Sequence, residues 1–114
     1  MSLIDKLRAS RLSKVQVGSF EFTITRPTAL DMVKLSGADK DEMLKRFVVD
    51  WHGVKELDLI PGGDPFEVPF DKELFFEWLS DNPQFWEPII KGIVDAYRAH
   101  EEKRTDNEKK VNAG

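Results

Sequence analysis

The stretch Val15-Gln16-Val17-Gly18-Ser19-Phe20-Glu21-Phe22-Thr23-Ile24 constrains this chain more than any other. Apolar and polar residues alternate on both sides of Gly18-Ser19, a dipeptide suited to a two-residue hairpin turn. Such a turn pairs Val17 with Phe20 and Val15 with Phe22, which puts all four on one face. A lone hairpin is only marginally stable in water, so helices or a further strand must cover that face. With 114 residues in total, the cover has to come from one domain with one modest core.

The remaining segments read mostly as helices. Residues 2–13 place Leu3, Ile4, Leu7 and Leu12 at near-helical spacing among Lys6, Arg8 and Arg11, with Ser2 as cap, which predicts a short amphipathic helix. Arg26-Pro27 ends the second strand, and Thr28 with Asp31 resembles a capping box for a helix carrying Leu30, Val33 and Leu35. Asp39 with Glu42 opens the next helix. Met43, Leu44, Phe47, Val48 and Trp51 form its stripe, and Gly53 takes the left-handed position at its end. Pro61, Pro65, Pro69 and Gly62-Gly63 forbid a regular element over 54–70. Leu57, Leu59, Ile60, Phe66, Val68 and Phe70 predict that this loop is packed on the core. Asp71 caps a helix with Leu74, Phe75, Trp78 and Leu79 on its inward face. After Asn82-Pro83, the residues Phe85, Trp86, Ile89, Ile90, Ile93, Val94 and Tyr97 recur with a 3.6-residue period, in a long helix predicted to begin at Pro88. The fold class that follows is α+β, predominantly helical, with an N-terminal β-hairpin packed with about four helices in a single domain over residues 1–100. Residues 101–114 hold four acids, four bases and one large apolar side chain, Val111, which predicts a charged, disordered tail.

The residues offer little for catalysis. There is no cysteine, so disulfides, thiolate nucleophiles and Cys-based zinc sites are excluded. His52 and His100 fall at predicted helix ends, where a cation meets the helix dipole favourably, and no His-x-x-x-His or Glu-x-x-His spacing suggests a metal. Asp50 beside His52 has no accompanying nucleophile motif. Gly62-Gly63-Asp64 lacks the lysine and hydroxyl of a phosphate loop and reads as a turn. Asp58, Asp64 and Asp71 are too irregularly spaced for an EF-hand, while Glu73, Glu77 and Asp81 read as a solvated helix face. We therefore expect a non-enzymatic protein with no cofactor and no metal. The N-terminus lacks the apolar region of a secretory signal, and no apolar run reaches the roughly 20 residues that span a bilayer, so a soluble protein without membrane contact is expected. Lys6, Arg8, Arg11 and Lys14 raise the question of nucleic acid. A net charge of −4 and the lack of interleaved aromatics weigh against it.

What the chain has in excess is apolar side chains. Phe75 and Phe76 are adjacent and cannot both point inward from one helix. Phe76 therefore leads the candidates for a protein-binding surface, followed by Phe75, Trp86 and Tyr97.

A family resemblance begins at Trp51-His52-Gly53-Val54. A helix ending in Phe-Val-Val-x-Trp-x-Gly-Val, a Gly/Pro-bearing loop, Val68-Pro69-Phe70-Asp71 opening a helix, and a further helix after a proline-marked break together resemble the tail assembly chaperones of long-tailed bacteriophages and prophages. The resemblance covers residues 44–98, with Trp51, Gly53, Val54, Pro69 and Phe70 as its motif positions. Phe20-Glu21-Phe22 with Arg26-Pro27-Thr28 matches more loosely, and the loop from Val54 to Val68 is longer than usual. The resemblance implies a non-structural viral protein of the host bacterial cytoplasm, absent from the finished virion. It implies binding to the tape measure protein, help in tail tube assembly, and contact with tube protein through a frameshifted extension, in a chain that can self-associate. The alternative from another class is a DNA-associated phage or prophage regulator using the basic N-terminal helix.

Overall fold

The structure, a computed structural model, describes residues 1–113, with side chains for residues 1–108. The hairpin forms as its alternation requires. Strands β1 (Leu12–Val17) and β2 (Phe20–Thr25) pair antiparallel, with Val17 opposite Phe20 and Val15 opposite Phe22. Gly18 in the turn has φ 61°, a conformation that glycine adopts without steric cost. The hairpin is extended by a third strand, β3 (Val48–His52), on the free edge of β2, giving a three-stranded sheet of order β1-β2-β3.

Strand β3 corrects the sequence expectation. The helix α3 (Lys40–Phe47) stops at Phe47, and the chain from Val48 to His52 is strand. The misreading has a physical cause. Leu44, Phe47, Val48 and Trp51 are spaced like one face of a helix, yet Val48 and Trp51 are also both buried in the strand. Three positions apart, they should point to opposite faces of a regular strand. A register shift between Thr23 and Ile24 resolves this: Phe22 pairs with Trp51, Thr23 with Asp50, and Ile24 with Val48, leaving Val49 unpaired and exposed. His52 accordingly lies on a strand rather than at a helix end. Gly53 does adopt a positive φ of 81°, but it follows the strand, and a Cβ there would meet the Ser19 carbonyl oxygen at 2.7 Å.

Helices cover the inner face of the sheet. Helix α2 (Ala29–Lys34) carries the expected capping box: the Asp31 N–H donates to Thr28 Oγ1 at 3.1 Å, and the Thr28 N–H donates to Asp31 Oδ2 at 2.9 Å. Its Leu30 and Val33 are nevertheless exposed, and only Leu35 packs on the core. The loop 54–70 contains a one-turn helix, α4 (Glu56–Leu59), which the prolines were expected to forbid; Pro61, Pro65 and Pro69 all follow it in the chain. Loop packing is partial, since Leu59, Val68 and Phe70 reach the core while Leu57, Ile60 and Phe66 do not. Helix α5 (Lys72–Ser80) buries Phe75, Trp78 and Leu79, but Leu74 is turned outward, contrary to its predicted inward place.

After a 3-10 turn at Pro83–Phe85, helix α6 runs over Trp86–Ala113. It begins two residues before Pro88, which sits in the first turn where its missing N–H has no intrahelical partner to lose. Ile89 and Ile93 are fully buried, and Gly92 lets the helix lie directly on β1. The helix does not end where its apolar stripe ends. Through the charged segment expected to be a disordered tail, Arg104 binds Glu101 at 2.7 Å and Glu108 at 2.8 Å, pairs that support an exposed helix. Gly114 and the side chain of Val111 lie outside the described residues. At the N-terminus, helix α1 (Leu3–Ala9) has the N-cap Ser2, whose Oγ accepts from the Asp5 N–H at 3.2 Å. It is shorter than expected because Leu12 belongs to β1, and its Leu3, Ile4 and Leu7 are all exposed.

Candidate functional site

The core sorts the aromatic residues into those the fold consumes and those it leaves available. Phe75 is fully buried, with its ring centroid 6.1 Å from Phe22, 6.0 Å from Trp51 and 5.6 Å from Phe70. Trp78 lies 4.8 Å from Phe85 and 5.8 Å from Phe20. Phe75 is thus a core residue and not a surface contact, which corrects its place among the binding candidates. One step along α5, Phe76 points away from that cluster and stays half-buried.

Phe76 and Trp86 meet in a groove between α3, α5 and the start of α6. The groove has a volume of about 530 Å³; Leu44, Leu79, Phe76 and Trp86 form its apolar lining, with Asp39, Lys40, Asp41 and Ser80 around them. Leu44 and Leu79 are anchored in the core. The Trp86 indole N–H donates to the Leu79 carbonyl at 2.7 Å, which fixes the ring and satisfies a carbonyl at the end of α5. The rest of the indole is apolar, so its polar atom is not available to an incoming ligand. On the opposite side of Phe76, the Lys45 ammonium sits 4.0 Å from the ring centroid, a cation–π contact. Lys40 is bonded to Glu87, which ties α3 to α6 across the end of the groove and leaves Asp39 and Asp41 as net negative charge beside it.

Two binding candidates, Phe76 and Trp86, are therefore brought together and two are not. Tyr97 is eleven positions beyond Trp86 on α6, roughly 16 Å along the helix axis. It lies beside Glu101 and Arg26, away from the groove. Leu44 and Leu79 read from the sequence as plain core residues. Their second role depends on α3 and α5 lying side by side, which no local pattern announces. Of the acidic rim, only Asp39 was legible in the sequence, as a helix-start residue.

The motif positions have structural places. Trp51 and Val54 are buried in the core, Phe70 packs against Trp51 at 5.4 Å, and Pro69 is exposed. The Gly53 N–H donates to Glu67 Oε1 at 2.8 Å, and the Val68 N–H to the Val54 carbonyl at 2.8 Å, closing the base of the loop. His52 is exposed, with Nε2 3.6 Å from Asp50 Oδ2. Among the described residues, no three His, Asp or Glu side chains are grouped so as to hold a metal ion, and no helix is long and apolar enough to cross a membrane. Of the basic residues considered for nucleic acid, Lys14 pairs with Glu21 at 3.1 Å and Arg11 lines a cleft against α6, which leaves Lys6 and Arg8 on α1.

Compared with known proteins, the chain matches no family model, no curated protein and no solved structure.

Proposed function

We propose that this chain is a non-catalytic tail assembly chaperone of a long-tailed phage or prophage, and that its groove between α3, α5 and α6 holds an amphipathic helical segment of the tape measure protein. The observation that carries the reading is the joint placement of Phe76 and Trp86 over a floor of Leu44 and Leu79. Helix-in-groove recognition needs an apolar trough that accepts side chains spaced three and four apart, with polar groups at its edges. A trough of about 530 Å³ bordered by Asp39, Asp41 and Ser80 meets that need. The family part of the proposal rests on the resemblance of Trp51-His52-Gly53-Val54 and Val68-Pro69-Phe70-Asp71. In this role the chain acts in the host cytoplasm and keeps a long helical protein soluble until tube subunits assemble on it. A frameshifted extension is the part that recruits tube protein.

The test is co-expression. Wild type should keep the tape measure protein in the soluble fraction, and Phe76→Asp should lose that effect while melting close to wild type. A tape measure protein that stays soluble with the Asp variant sinks the groove. One that aggregates with wild type sinks the chaperone assignment.

A further inference from the structure

Helix α1 is amphipathic, yet the described residues leave its apolar face uncovered. Every residue from Met1 to Ser10 is exposed, and Leu3, Ile4 and Leu7 are 82%, 50% and 48% exposed. At about 100° per residue these three side chains form one stripe; Lys6 and Arg8 border it on either side, and Asp5 faces away from it. Seven residues are too few for a helix to gain much stability alone in water, and burial of that stripe is the contribution α1 still lacks. The same chain carries a trough of the complementary kind. The groove of Phe76, Trp86, Leu44 and Leu79 is apolar, and its border at the start of α3 holds Asp39 and Asp41. Lys40 between them is bonded to Glu87, and the Asp39 carboxylate makes no cap hydrogen bond, so these two exposed acids are open to a cationic partner. The fold keeps α1 from its own groove. The Ser10 hydroxyl donates to the Leu7 carbonyl at 2.6 Å and the Arg11 N–H to the Arg8 carbonyl at 3.1 Å, which fixes α1 to the start of β1. That joint lies beside Ala99 of α6, thirteen positions beyond Trp86 and roughly 20 Å along the helix axis, whereas α1 itself is roughly 10 Å long.

We propose that α1 docks in the groove of a second copy of this chain, with Leu3, Ile4 and Leu7 on the apolar floor and a basic flank along the Asp39–Asp41 border. The inference rests on the groove reading above and adds an occupant supplied by the chain itself. A lipid surface is the weaker match, because three aliphatic side chains without an aromatic are a slight anchor for a bilayer interface. The contact joins two different surfaces, so copies add head to tail. It covers the groove until a foreign helix displaces α1, which makes self-association and capture of that helix mutually exclusive at any one groove. Three aliphatic side chains and two cations make a small, transient contact, so association depends on concentration and weakens as salt screens the charges.

The experiment is sedimentation equilibrium of the full chain over a range of concentrations, for wild type and two variants. Leu3→Gln with Leu7→Gln removes the stripe, and because α1 is exposed this variant should melt with wild type. Phe76→Asp removes the groove. The average mass of wild type should rise with concentration, less so in high salt, and each variant alone should stay monomeric. Mixed together, the two variants should associate again, since one supplies the groove and the other the helix. Self-association that persists in Phe76→Asp alone overturns the proposal, because α1 then docks elsewhere. A mixture that stays monomeric overturns it, as does wild type that is still monomeric at about 1 mM. Monomeric wild type that co-sediments with phosphatidylglycerol vesicles through Leu3 and Leu7 overturns it in favour of a lipid surface. The groove reading fails separately. If the stripe variant binds a synthetic amphipathic segment of the tape measure protein while wild type is monomeric, only the α1 contact is wrong. If the variants complement each other but no such segment binds, the foreign occupant is wrong and the α1 contact stands.

Discussion

The indole N–H of Trp51 donates to the carbonyl oxygen of Val68 at 2.7 Å, joining the bulged strand β3 to the returning limb of the 54–70 loop. The same ring meets Phe70, Phe75 and Trp78 edge-on, at 5.4, 6.0 and 6.1 Å. Trp51→Phe keeps most of this packing but strands the Val68 carbonyl, which should cost about 1–3 kcal/mol. Trp51→Ala also removes the ring and should cost roughly 3–5 kcal/mol, enough to threaten a domain of this size. Chemical denaturation of both variants checks the order. If Trp51→Ala melts within a few degrees of wild type, the sheet and loop are not coupled through this side chain.

Gly92 is the point where α6 rests on the hairpin. A Cβ at that position would lie 2.4 Å from Val15 Cγ2, so either the helix or the strand has to move. Alanine normally favours a helix over glycine by about 1 kcal/mol, yet overpacking costs about 1–3 kcal/mol. Gly92→Ala should therefore be destabilising here. Adding Val15→Ala should recover part of the loss, because it removes the methyl groups in conflict. A stabilised Gly92→Ala single variant would show that α6 sits further from β1.

Asp31 makes stability depend on acid. Burial alone would raise its carboxyl, but hydrogen bonds from the Thr28 backbone and hydroxyl, with the charges of Arg46 and Arg11, outweigh it and hold the group below its ordinary value. Arg46 reaches Asp31 Oδ1 at 2.8 Å from α3. For a depressed carboxylate the contribution is complete above the unfolded value near pH 4 and is lost as pH falls through the lower folded value. Asp31→Asn should thus be less stable than wild type at pH 7, by about 1 kcal/mol for the weakened cap. Melting curves from pH 7 down to pH 2 should show the two proteins converging in acid. A gap that is constant with pH would mean the charge plays no part.

Local chemistry made the hairpin, the Thr28–Asp31 cap and the apolar face of α6 legible, because each depends on residues a few positions apart. Strand β3 was not legible, since a bulge at Val49 gives Val48 and Trp51 the spacing of a helix. The length of α6 was hidden for a related reason. Apolar periodicity marks the part of a helix that is buried, and beyond Glu101 the helix is carried by Arg104 and its two carboxylates. Phe76 could be picked out because its neighbour Phe75 takes the inward position. The groove around it could not, since Leu44 and Trp86 converge on it only once α3 and α6 are packed.

The most direct test of the groove is the affinity of the purified chain for a synthetic amphipathic segment of the tape measure protein, measured calorimetrically for wild type and Phe76→Asp. A groove that holds such a segment requires saturable one-to-one binding by wild type. In the variant, binding should weaken on the order of thirtyfold, the loss of about 2 kcal/mol that marks a central aromatic contact, with the melting temperature unchanged. Equal affinity in the two proteins would contradict it.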